Sequence, residues 1–102
     1  MSKNDIRQQR LGRTQARKLI SKIVTQHPHR VFYTKHCRKE LLDDDLTTSD
    51  LLNVLTSSDS RIEDEPEIEG GSYRYRLETN KIMVVLAFST DTSLVVITAW
   101  RK

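Results

Sequence analysis

Ser72-Tyr73-Arg74-Tyr75-Arg76-Leu77 alternates without a break, so a strand here sends Tyr73, Tyr75 and Leu77 to one face and Arg74 and Arg76 to the other. The stretch predicts a half-buried strand over 71–77, entered through Gly70-Gly71. Downstream, 81–88 and 94–100 read as two more strands. Ile82–Phe88 and Leu94–Ala99 are apolar on both faces, which puts these two at the centre of a sheet. Thr79-Asn80 and Thr90-Asp91-Thr92 are short connections, and short connections join antiparallel neighbours. A strand over 61–65 completes an expected four-stranded antiparallel sheet.

Upstream the period changes from two to between three and four. Ala16, Leu19, Ile20, Ile23 and Val24 form the apolar stripe of a helix over 13–25, ended by His27-Pro28-His29. Gly12 weakens what precedes it, so residues 1–12 are expected as a mobile arm. Arg30–Tyr33 is a short extended piece. Thr34 then fits the N-cap of a second helix over 35–44, with Cys37 and Leu41 on one face. Thr47 and Asp50 have the spacing of a capping box ahead of Leu51, Val54 and Leu55, a third helix stopping near Ser57. N-terminal helices followed by a four-stranded sheet make an α+β fold, with the first and last helices packed on one or both sides of the sheet.

With 102 residues and 36% hydrophobic content the chain supports one modest core. The longest apolar run, Ile82–Phe88, is far shorter than a membrane span, and the polar start lacks a signal-peptide apolar segment. A soluble, cytoplasmic protein with no membrane partner is expected. One cysteine, Cys37, excludes an internal disulfide and a Cys-rich zinc module. The net charge of +3 hides a strong asymmetry. Residues 1–39 carry eleven basic and one acidic side chain, whereas 40–69 carry one basic and eleven acidic. Two readings follow: the basic front meets a polyanion, releasing counterions from its phosphates, or it pairs with the acidic middle inside the fold.

Tyr33-Thr34-Lys35-His36-Cys37, the helical stretch to Leu46, Ser49–Leu55, Gly70–Arg76 and Val95-Val96-Ile97-Thr98-Ala99-Trp100 together resemble a small DUF-type bacterial family. That family is similar to RelE-like toxins, in the company of MqsR and BrnT. The resemblance covers roughly residues 30–102, leaving 1–29 as a basic N-terminal helix or extension. It implies a RelE-like toxin-family domain, metal-independent RNA cleavage, RNA on or off the ribosome as partner, and a cognate zinc-finger antitoxin of the MqsA type. The family usually carries two arginines after the histidine, near the positions held here by Glu40 and Asp44.

His36 is the candidate for proton transfer, because imidazole both takes and gives a proton near neutrality. Metal-free RNA cleavage needs that capacity twice, to activate the 2′-OH and to protonate the leaving 5′-oxygen. Arg74 and Arg76 share a face and suit a phosphate and its pentacoordinate transition state. With His36 they form the expected catalytic set. Arg13, Arg17, Lys35, Arg38 and Arg101 are expected phosphate contacts, and Tyr73, Tyr75 and Trp100 are expected base-stacking side chains. The bland alternatives are a capping histidine, an arginine pair facing carboxylates such as Glu63 and Glu65, core aromatics and a solubilising tail. His27, His29, His36 and Cys37 match no metal-ligand spacing, and the acidic run from Glu63 to Glu69 reads as a solvated hairpin loop. No metal and no cofactor are expected. The function expected first is a toxin-family endoribonuclease; the alternative, favoured by Glu40 and Asp44, is a noncatalytic nucleic-acid- or protein-binding module of the same fold.

Overall fold

The computed structural model of the chain describes residues 5–102. Three helices, α1 (Arg13–Gln26), α2 (Lys35–Asp43) and α3 (Thr48–Thr56), accompany five strands: β1 (Val31–Tyr33), β2 (Glu67–Glu69), β3 (Ser72–Glu78), β4 (Ile82–Thr90) and β5 (Ser93–Arg101). The strands lie in the order β1-β5-β4-β3-β2. β1 runs parallel to β5 and every other pair is antiparallel, so the fold is α+β with a mixed five-stranded sheet rather than four antiparallel strands.

Two corrections account for the difference. Arg61–Glu65 is not a strand: Arg61 makes a single bridge with Glu78, exchanging two 2.9 Å backbone bonds, and the chain then leaves the sheet. Its place is taken by β2, formed from the acidic residues expected in a loop. Gly70 and Gly71 both have positive φ, 60° and 79°, and their tight turn folds β2 back onto β3. Val31–Tyr33, expected only as an extended piece, becomes the edge strand β1.

One core lies between the helices and one face of the sheet. It joins Ala16, Ile20, Ile23 and Val24 of α1, Cys37 and Leu41 of α2, and Leu51, Val54 and Leu55 of α3 to alternate residues of the sheet. Those are Tyr75 and Leu77, Val84, Leu86 and Phe88, then Leu94, Val96 and Ala99. Each fully buried Leu, Ile or Phe is worth about 1.5–3 kcal/mol relative to exposure. Burial also pushes the Cys37 and Tyr33 protons up, holding both side chains neutral. The central placement of 82–88 and 94–99 is as the apolar pattern requires, since β4 and β5 are flanked on both edges.

Local chemistry sets the element ends. Thr47 and Asp50 close the expected capping box, with bonds of 3.2 and 2.9 Å. Ile97 is the extra residue of a bulge in β5, because Val85 faces Thr98 while the next residue, Leu86, faces Val96. Its carbonyl accepts from the Thr34 hydroxyl at 2.8 Å, and the same hydroxyl accepts from Cys37 N at 3.0 Å. One side chain thus caps α2 and fixes α2 to the bulge. The expected mobile arm is tied down from Asp5 to Gly12. Tyr75 donates its hydroxyl to Gln9 O and accepts from Leu11 N, both at 3.1 Å, while Ile6 and Leu11 pack against the core. The arm's residues 1–4 lie outside the described residues.

Candidate nucleic-acid interface

α2 presents His36 at its first turn. The imidazole is exposed, and its Nε2 stands 3.5 Å from Glu40 one turn later. Lys35, Arg38 and Lys39 are exposed beside it. Where the resemblance implies an arginine, Glu40 instead gives the histidine a carboxylate partner. Asp44 stands at the other such position: its carboxylate accepts from Arg101 N at 3.0 Å, and the Arg101 guanidinium donates to the carbonyls of Asp44 and Asp45. Arg101 caps the end of α2, where free carbonyls and the helix dipole favour a cation.

Arg74 and Arg76 stand on the sheet face opposite the core, as the alternation requires. They line a groove of about 220 Å³ with Val85, Thr98, Trp100 and the acidic strand β2. Neither arginine is free of a counter-charge. Arg74 lies 3.3 Å from Glu69, and Arg76 lies 3.8 Å from Glu67. The Nε of Arg74 is buried without a hydrogen-bond partner. The lining takes no residue from α2, whose buried side chains belong to the other face of the sheet. The structure thus brings Arg74, Arg76 and Trp100 together and leaves His36 elsewhere.

Of the other expected base-stacking residues, Tyr75 is 1% exposed and packs its ring against Phe88, with centroids 5.2 Å apart. Tyr73 is half-buried against the same core. Both follow from the strand parity that sent the tyrosines inward.

The charge asymmetry resolves into two populations. Internal pairing takes Arg7 with Asp5, Arg10 and Arg13 with Glu65, Arg61 with Glu63, and Arg74 and Arg76 with β2. Arg17, Lys18, Lys22, Arg30, Lys35, Arg38 and Lys39 have no carboxylate partner among the described residues. They occupy α1, the 3-10 turn Pro28–Arg30 and α2. Five of these seven are exposed, and the Nε of half-buried Arg30 makes no hydrogen bond. Sequence reasoning missed Glu67 and Glu69 as partners of the arginines; the alternation of carboxylates on either side of Ile68 was the available signal. Among the described residues, no group of three or more His, Cys, Asp or Glu side chains is placed to hold a metal. No helix is long and apolar enough to cross a membrane among the same residues.

The model of a family described as a domain of unknown function, DUF4258, matches residues 33–101. No curated protein and no solved structure matches the chain.

Proposed function

The chain belongs to the DUF4258 family, and on that premise we propose that it is an RNA-binding protein of RelE-like type that holds RNA without turning it over. The observation that carries the reading is the run of seven basic side chains between Arg17 and Lys39 that meet no carboxylate among the described residues. Lys and Arg without a protein carboxylate are free to neutralise phosphates, and the cations condensed on the nucleic acid that they displace drive association. Arg74 and Arg76 contribute less, because Glu69 and Glu67 already answer their charge. The separation of His36 from that pair favours binding over cleavage: a proton donor and a phosphate clamp act on one phosphate only when both reach it. A cognate zinc-finger antitoxin and a cytoplasmic setting belong to the same proposal.

The test is binding of a fluorescent single-stranded RNA across a salt series. Three to four phosphate contacts give a slope of log K against log salt of about −2 to −3. A slope near zero, or no binding at low salt, overturns the proposal.

One observation favours the endoribonuclease reading, the exposed His36 with Glu40 against its ring. Two titratable groups side by side are what a base at the 2′-OH and an acid at the 5′-oxygen require. On that reading the phosphate contacts come from Lys35, Arg38 and Lys39 of the same helix. Controlled expression of wild type and His36→Ala in a bacterial host separates the two. Growth arrest with RNA cleavage in the wild type, lost in the variant, establishes the nuclease; intact RNA in both leaves binding alone.

A further inference from the structure

A second groove lies away from the sheet, between α1 and the segment that runs from the end of α3 into Ile62. It is an open groove of about 520 Å³, within the range of small-ligand sites, and its walls include Arg13, Arg17, Lys18, Ser21, Arg61 and Ile62. No acidic side chain lines it.

The four cations there differ in what they already hold. Arg61 donates to Glu63 at 2.9 Å, and Arg13 stands 3.7 Å from Glu65, so the rim arginines have counter-charges. Arg17 and Lys18 have none among the described residues. Arg17 is half-buried and donates to Ser57 O at 2.6 Å, Ser21 Oγ at 2.7 Å, Ser60 Oγ at 2.8 Å and Leu55 O at 3.4 Å. Carbonyls and hydroxyls hold this guanidinium, and no carboxylate neutralises it. Desolvation accordingly draws its proton affinity down. Lys18 beside it is exposed, with its three N–H donors uncommitted to any acceptor among the described residues.

Two uncompensated positive charges match the charge of a phosphate monoester, about −1.5 to −2 at neutral pH. The rest of the groove is not a bare charge trap. Ile62 is 8% exposed and, with the aliphatic stems of the arginines, gives an apolar wall, while Ser21 supplies a hydroxyl. We infer that this groove binds a nucleotide, with Lys18 on the phosphate, the uncompensated charge of Arg17 behind it and the base against Ile62. The nucleotide is free in solution or the phosphorylated end of an RNA. The inference shares Lys18 and Arg17 with the RNA reading, and its test separates the two.

The experiment follows backbone amide resonances of the full chain on adding AMP, inorganic phosphate, or an oligoribonucleotide with a 5′-phosphate or a 5′-hydroxyl. Saturable shifts at Ser21, Ser60 and Ile62 with AMP support the site with a free nucleotide as its source. The same shifts with the 5′-phosphorylated oligomer and not with its 5′-hydroxyl counterpart support it with an RNA end. Lys18→Glu, an exposed substitution whose folding the spectrum itself reports, weakens the interaction about tenfold or more, as loss of one charge-assisted contact requires. Equal shifts from inorganic phosphate alone overturn the nucleotide assignment, and no shift in these residues at millimolar ligand overturns the site. RNA bound elsewhere with the groove silent overturns this inference and leaves the RNA reading standing. AMP bound without any RNA affinity does the reverse.

Discussion

The stretch from Arg17 to Lys39 and the hairpin from Glu63 to Glu78 are both dense in charge, yet they use it in opposite ways. In the hairpin Arg74 and Arg76 each have a carboxylate across the turn, so neither arginine offers open charge. In the helical stretch no carboxylate occurs at all, and charge is answered by carbonyls, by hydroxyls or by water. Exposed ion pairs contribute about 0–1 kcal/mol to folding, so the hairpin gains little stability from its pairing. With six carboxylates to two arginines, it keeps a negative excess that repels a polyanion. The helical stretch has the opposite sign, and its open charge is the feature that a binding partner would read.

Arg17 is the place where this contrast breaks most sharply, because it is an unpaired cation doing structural work. It ties α1 to the end of α3 and the turn after it through three hydrogen bonds, to Leu55 O, Ser57 O and Ser60 Oγ, while a fourth goes to Ser21 Oγ within α1. Arg17→Ala removes all four bonds, the donor to Leu55 O among them, and is expected to cost about 2–3 kcal/mol in urea denaturation. Arg17→Lys keeps the charge and loses the fork, so it should fall between the two. A change below about 0.5 kcal/mol for the alanine variant would return Arg17 to the class of plain surface charges.

Much of the fold was legible because its signals are local. Thr47 and Asp50 name the start of α3 by their spacing, and the two-faced apolar runs of β4 and β5 name the middle of the sheet. What escaped was set by partners distant in the chain. Three residues, Val31–Tyr33, carry no periodicity of their own, and they become a strand only because Leu94–Val96 offers a free edge more than sixty residues later. Glu67 and Glu69 are poor strand formers alone; the glycine turn delivers them to β3 and pairing does the rest. For the site, alternation placed Arg74 and Arg76 on one face correctly. It could not say that α2, and His36 with it, would pack on the other. That assignment depends on which side of the sheet buries Cys37 and Leu41.

The comparison sharpens if open charge is removed from one region and created in the other. Lys22→Gln, Lys35→Gln and Lys39→Gln together should weaken RNA binding about tenfold or more at moderate salt and flatten the salt slope by about 2, if each lysine meets a phosphate. Stability should stay within about 0.5 kcal/mol, since none of the three has a protein partner to lose. Unchanged RNA affinity would remove the helical stretch from the interface. The converse change, Glu67→Gln with Glu69→Gln, exposes the charge of Arg74 and Arg76. It should raise RNA affinity about two- to fivefold and alter stability by about 1 kcal/mol or less. No gain would show that the sheet groove lies off the path of the RNA.

Acid provides the mildest test, because it dissolves pairs without a mutation. Arg61 holds Glu63 below the ordinary carboxylate range, chiefly through its side-chain hydrogen bond, and Arg7 does the same for Asp5. A carboxyl depressed in the folded chain binds fewer protons there than in the unfolded chain. Its contribution is therefore present above the unfolded values, about 3.9 for Asp and 4.3 for Glu, and is lost as pH falls through the lower folded values. Both carboxyls are solvent-exposed, so the loss should be small and should shrink further in high salt. Thermal denaturation between pH 5 and 2 of wild type against Arg61→Gln isolates the Glu63 share: the wild type should lose slightly more stability across that window. Identical acid profiles would mean that the Arg61–Glu63 pair does not form in solution, and Arg61 would then join the arginines of the helices as open charge.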